Sequence, residues 1–300
     1  MTNPGPSQAE RYDAAGRILG WVGGKLLEDI GPDWARVDLK VSMAAGVDDY
    51  QYATLNQDGS VRERALPADQ LRRPFSDLRE VLWEPEEGTW FSVRFTIDPP
   101  GNTQTEYNFE VDPVWDPPIP PDVWAKDLEI FPRAEAWRPR WLRRELEPGL
   151  ELAPVEPGGQ PQHVMYARHV GQQVKQTAPA GWTYAQVHFR EIGDHVETTA
   201  LVRDLTGRMF QWAPPRAVAE RFREVRQSMA GPRTTWCTAR LDVEHTGREN
   251  LQFNRTEEPH WTTPPPPEAY QEELRRAGSA DVLPDWLRAR LDPHSGAGTD

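Results

Sequence analysis

Val37, Leu39, Val41 and Met43 alternate with Asp38, Lys40 and Ser42, the period of two that marks a strand with one buried face. A second alternation runs over 89–98. It places Phe91, Val93, Phe95 and Ile97 on one face, and Trp90, Ser92, Arg94 and Thr96 on the other. Between these, the pattern predicts two short strands around 49–55 and 61–65, with a turn at Asp58-Gly59. A helix opened by Pro67 should run to about Trp83, with Leu71, Phe75, Leu78 and Leu82 on one stripe. Residues 8–30 have helical spacing around Ala15, Leu19 and Val22. A strand at 103–111 sets Tyr107 and Phe109 against Glu106, Asn108 and Glu110. Helices follow from about 120, with Trp124, Leu128 and Phe131 looking inward, and from about 139.

The same elements recur. TWFSVRFTIDPPG (89–101) aligns with TWCTARLDVEHTG 146 positions later, and EVDPVWDPPIPPDVW (110–124) with TEEPHWTTPPPPEAY at the same spacing. PDWARVDLKV (32–41) aligns with AGWTYAQVHF at 148, and RPRWLRREL (138–146) with LPDWLRARL at 145. A period this long repeats a whole domain rather than a solenoid unit. The chain therefore reads as two homologous domains, 8–146 and 163–292, joined by a Pro/Gly-rich linker at 147–162. Residues 1–7 and 293–300 are expected to be disordered. Strands in runs, with helices gathered at the ends, predict an α+β fold, each domain an antiparallel sheet with helices packed on one face. The repeated prolines then mark a turn out of the last strand and into a helix.

The charge is lopsided within a net −13. Residues 1–150 carry 27 acidic and 17 basic side chains, a balance of −10, against −3 for the remainder. Such a field disfavours direct nucleic-acid binding and attracts basic proteins, although moderate negative charge also serves plain solubility. No apolar run reaches membrane-spanning length, and the start lacks the basic and apolar regions of a secretory signal. With the lone Cys237, no internal disulfide is possible. These features point to the cytoplasm and to no membrane partner.

Catalytic signatures are missing from the sequence: there is no phosphate loop, HExxH, GxSxG or CxxC. Cys237 falls on a core-facing strand position, where a cysteine is normally a small buried hydrophobe. His188 and His195 flank a hairpin and could hold a metal with Glu191, but their spacing matches no metal motif and scattered surface histidines are the simpler reading. The chain is therefore expected to be non-enzymatic, with no cofactor and no metal. Acidic residues cluster at Asp48-Asp49, at Glu84 with Glu86-Glu87, and at Glu106, Glu110, Asp112 and Asp116. Trp90, Arg94 and Asn108 recur as Trp236, Arg240 and Asn254 on the face away from the core. They could form a shared binding surface. Equally, a helix could cover them, with Trp buried and Arg paired to a carboxylate.

The run GTWFSVRFTIDPPG followed by EYNFEVDPVWDPP, after a long helix, resembles the YezG-like immunity (antitoxin) proteins of bacterial polymorphic toxin systems. The likeness covers about 34–131 and returns more weakly at 182–277. That family is usually a single domain, so the tandem pair is a departure, as are the closing helices PRWLRREL and PDWLRARL. The resemblance implies a non-enzymatic protein that neutralises a cognate toxin, often a basic nuclease domain, by occluding its site. Under it, Trp90, Arg94, Glu106, Asn108, Glu110, Asp112 and Asp116 are the expected partner-binding residues, and charge reversal at Glu110 and Asp112 should weaken binding while sparing stability. The alternatives are a structural interaction module, a nucleic-acid mimic, or a hydrolytic or metal-dependent enzyme with a deep polar pocket.

Overall fold

Trp34–Ala44 forms β1, and everything in the first half of the chain is arranged about it. In a computed structural model, residues 7–62, 64–158, 160–230 and 236–291 are described. They form an α+β protein of two compact units, one of Met1–Leu152 with Pro179–Gly181, the other of Ala153–Ala178 with Trp182–Asp300. Of the stretches expected to be disordered, 1–7 and 293–300, all but Ser7 lie outside the described residues. Ser7 caps α1 (Gln8–Leu27) in a capping box with Glu10, so this last residue of the expected tail is part of the helix cap.

In the first unit β1 pairs antiparallel with β2 (Val47–Asn56) on one side and β4 (Ser92–Asp98) on the other. β3 (Val61–Arg62) and β5 (Asn102–Asn108) close the order β3-β2-β1-β4-β5. The apolar face, Val37, Leu39, Val41, Met43, Val93, Phe95 and Ile97, packs with α1 and with Leu71, Phe75 and Leu78 of α2 (Ala68–Val81) into the main core. Helices are not confined to that face. Ala44 points away from its neighbour Met43. With Phe91 it meets Trp124 of α3 (Pro121–Ile130) and Trp141 and Leu142 of α4 (Arg140–Leu146) in a separate small core.

The second unit has the same strand order, β8-β7-β6-β9-β10, from β6 (Trp182–Ile192), β7 (His195–Asp204), β8 (Met209–Trp212), β9 (Thr238–Glu244) and β10 (Glu249–Asn254). Val170 and Val174 of α5 (Gln160–Thr177) and Val218, Phe222 and Val225 of α6 (Arg216–Ser228) cover its apolar face, with Phe222 stacked on Phe189 at 5.0 Å. Ala269 of α7 (Pro267–Ala277) and Leu287 of α8 (Asp285–Leu291) meet Ile192 in the second small core. α5 begins inside the stretch expected as linker. Upstream of it Val155 is already buried, its N–H bonded to Gln227 Oε1 at 3.0 Å. Proline and glycine content suggested a free connector, but the backbone there finds partners.

One buried contact pins each unit's layers together. Arg79, on α2, donates to both carboxylate oxygens of Asp127 on α3, at 2.6 and 2.8 Å, and to the Trp90 carbonyl at 3.2 Å. Arg226, on α6, repeats this with Glu273 on α7 at 2.5 Å and the Trp236 carbonyl at 2.9 Å. Both members of each pair are buried. Removing one partner of such a pair strands a charge and costs about 3–5 kcal/mol. Asp127→Ala should therefore lower the urea midpoint sharply, and Arg79→Met with Asp127→Leu should recover most of the loss. An Asp127→Ala loss below about 1 kcal/mol, the range of exposed pairs, would show that the pair does not hold the layers.

Candidate functional site

Of the residues expected to face a partner, three lie inside. Trp90 is 0% exposed in the main core and Asn108 is 0% exposed, while Arg94 is 6% exposed. The alternation over 89–98 fails at its start because the regular register begins at Ser92, and Phe91, though bonded to Met43 and Asn108, sits in an irregular continuation of it. Residues 89–91 lie outside β4, so Trp90 turns into the main core and Phe91 into the small one, the reverse of the expected faces. Asn108 ends β5: its Oδ1 accepts the N–H groups of Glu110 and Val111, and its amide donates to the Val111 carbonyl at 2.7 Å. Asn254 makes the same turn with Thr256 and Glu257. The repeated Asn is thus a strand terminator.

Arg94 lies in a buried polar row. It donates to both oxygens of Asp38, at 2.9 and 2.7 Å. Burial pushes the Asp38 carboxyl up, but the Arg94 guanidinium outweighs it and holds the group below the usual carboxylate range. Lys40 sits directly opposite Arg94 across β1 and β4, and its Nζ donates to the Pro113 carbonyl at 2.8 Å. Burial pulls Lys40 down to about 8, with Arg94 adding to the effect and Asp49 and Asp112 opposing it. Asp112 accepts the Val114 N–H at 2.8 Å, and Val114 has a φ of 55°. A β-branched residue in this left-handed region is strained. Lys40 and Asp112 together hold the 112–114 turn against the sheet, which makes Asp112 structural.

The acidic residues divide. Asp116 is exposed, and Glu106 is half-buried beside Gln104. Glu110 is half-buried, and its carboxyl is raised chiefly by burial, with Arg133 opposing and Glu87 adding. Glu86 and Glu87 are exposed on a tight turn closed by paired Glu84 and Gly88 hydrogen bonds at 3.0 and 2.9 Å. Beneath them Arg133 donates to the carbonyls of Thr89 at 2.7 Å and Phe109 at 3.0 Å, and covers the Phe91 ring at 4.5 Å. The structure thus brings Glu110 together with Glu87 around Arg133. Sequence reading missed Arg133, because its partners are main-chain carbonyls far away in sequence.

The second unit differs. Glu197 accepts the N–H groups of Thr262 and Thr263 at 2.9 and 2.6 Å; burial opposes, yet these bonds hold it below the usual range. His188 faces Gln186 at 3.1 Å and His195 lies against Trp261. Glu191 is surrounded by Arg223, Arg226 and Arg276 at 3.6–3.7 Å rather than by histidines. Among the described residues no group of three or more His, Cys, Asp or Glu is placed to hold a metal ion. Cys237 is buried, its thiol pushed up to about 12 by burial and then by Glu273, which leaves almost no thiolate at neutral pH.

No known protein family matches the chain, and no curated protein matches it. No described helix is long and apolar enough to cross a membrane.

The depressed Lys40 value has a definite sign. Between pH 8 and about 10.4 the unfolded chain holds the Lys40 proton and the folded chain does not, so this group adds stability as pH rises through that window. The stability difference between wild type and Lys40→Met should shift in favour of wild type from pH 7 to 10, read by chemical denaturation at each pH. A difference that is flat with pH would contradict a buried, cationic Lys40.

Proposed function

We propose that the protein works by binding a basic protein partner through an acidic rim on the first unit, in the manner of an immunity protein that occludes a toxin's cationic cleft. The observation that carries this reading is the fixed set of carboxylates at Glu86, Glu87 and Glu110. Glu86 and Glu87 stand on a turn locked by backbone hydrogen bonds, and the Glu86 carbonyl accepts the Ala134 N–H at 2.7 Å. The Glu110 carboxyl is raised chiefly by burial, and Glu87 adds to the effect, so the two carboxylates are close enough to repel one another. A cation docking among them relieves that repulsion without reorganising the loop. The second unit has Thr256 where the first has Glu110 and Thr262 where it has Asp116, so the first unit is assigned the binding role.

The buried Trp90, Arg94 and Asn108 support the rim from within rather than contacting the partner. Glu106 and Asp116 belong to its periphery, and Asp112 to its scaffold. Under this reading the protein acts in the cytoplasm, without a cofactor, and its partner is a basic domain of the nuclease-toxin kind.

The test is Glu86→Lys with Glu87→Lys in the full-length chain, set beside Asp112→Lys. The rim variant should keep the wild-type melting temperature and lose about tenfold or more in capture of a basic partner from the source cell's lysate, because close like charges at an interface cost kilocalories. Raising the salt should weaken wild-type capture in the same direction. Asp112→Lys should instead lower the melting temperature. Capture that is indifferent both to the rim charges and to salt would sink the proposal.

A further inference from the structure

A second feature of the first unit, separate from the acidic rim, is a groove of about 440 Å³ lined by Tyr52, Val61, Arg62, Arg64 and Ala65. Its two guanidinium groups, like that of Arg133, are held by main-chain carbonyls rather than by a carboxylate, but here they line an open groove. Arg11, Arg36, Arg79 and Arg94 each meet a carboxylate. Arg62 and Arg64 instead donate to main-chain carbonyls at the C-terminal end of α1: Arg62 Nη1 to Ile30, Arg64 Nη2 to Glu28, and Arg64 Nη1 to Leu26 at 3.5 Å. These bonds fix both side chains and complement the partial negative charge of the helix end. They leave other N–H groups of each five-donor guanidinium unspent, and no ion pair joins either arginine to a carboxylate among the described residues.

Gly31 adds to the fixing. It has a φ of 81°, and a Cβ there would lie 2.7 Å from Arg62 Nη1. The turn after α1 is thus shaped to let the guanidinium lie flat against it. Beside the charges the groove offers the half-buried Tyr52 ring and the Val61 side chain, which is 65% exposed. Two fixed cations next to apolar surface, in a concavity of ordinary ligand size, are the elements of a small-anion site.

We propose that this groove binds a small organic anion, with a phosphate or carboxylate group on Arg62 and Arg64 and a flat apolar group against Tyr52 and Val61. The positive end of the site is local: residues 1–150 carry a balance of −10 even with these two arginines included, so long-range attraction contributes little and the fit to paired guanidiniums selects the ligand.

The experiment is titration calorimetry of the full-length protein with phenyl phosphate, with benzoate and with inorganic phosphate as three separate probes. Saturable binding is expected for at least one aryl anion, more weakly for inorganic phosphate. Stronger phenyl phosphate binding would assign a phosphoryl ligand, and stronger benzoate binding a carboxylate. Arg62→Gln and Arg64→Gln should each weaken binding about tenfold or more, as expected for the loss of a charge-assisted hydrogen bond. Because either arginine also caps α1, Val61→Asp serves as the second variant. This exposed position tolerates a polar residue, so the melting temperature should hold, while the new carboxylate pairs with the guanidiniums and abolishes binding. No saturable binding by any probe up to about 10 mM, ten times the millimolar end of the affinity scale, would overturn the proposal. So would binding that survives Val61→Asp unchanged.

Discussion

The contact between Arg79 and Asp127 is the constraint on which the first unit depends. A sheet of five strands with helices on one face needs only apolar packing, but α3 belongs to a second, smaller core. The guanidinium of Arg79 reaches from the main helix layer to α3 and takes the Trp90 carbonyl on the way. That carbonyl lies where β4 has not yet begun its ladder, so the side chain supplies the hydrogen bond that sheet pairing does not. Arg226 and Glu273 solve the same problem in the second unit with a carboxylate one methylene longer. A desolvated charge pair contributes little net stability compared with an apolar substitute. What it does supply is a single allowed arrangement of α3 against the sheet.

From that arrangement the rim follows. With α3 fixed, residues 131–134 pass beneath the turn at 84–88, and Arg133 can fasten the carbonyls of Thr89 and Phe109 at once. Burying a cation there draws acidic residues above it, and Glu110 and Glu87 occupy that place. Further along the same sheet face Lys40 and Asp112 fasten the proline-rich segment. The proposed rim thus stands on backbone tied down at several points, consistent with the general rule that binding residues sit on loops held by a rigid scaffold.

Much of this was legible in the sequence and some of it could not have been. Period-two alternation located β1 and most of β4 because one face of each strand meets a continuous core. It failed at Trp90 and Phe91, where the ladder turns irregular although Phe91 still bonds Met43 and Asn108, and side-chain direction no longer follows the strand. The repeated Trp, Arg and Asn looked like a surface because a sheet face without apolar residues is usually wet; here Asp38 and Arg94 neutralise each other inside. The Arg79 and Asp127 pair spans 48 residues and has no periodicity to betray it. Its one sequence trace is that Arg226 and Glu273 stand at the matching places of the second half. Arg133 and the Arg62–Arg64 groove left no trace at all, since their partners are carbonyls and carbonyls have no letter in a sequence.

The small core beneath Ala44 has an optical consequence. Trp115, Trp124 and Trp141 pack edge to face in a row, with ring centroids 6.4 and 5.2 Å apart, and Phe91 lies 4.8 Å from Trp141. Transition dipoles held this close and this steeply inclined couple with one another. In the second small core Trp261 meets His195 instead. Among the described residues the indole pairs in ring contact lie in the first unit, so their exciton circular dichroism should weaken when α3 or α4 lifts away. The protein carries within its own chromophores a gauge of the scaffold on which the rim stands.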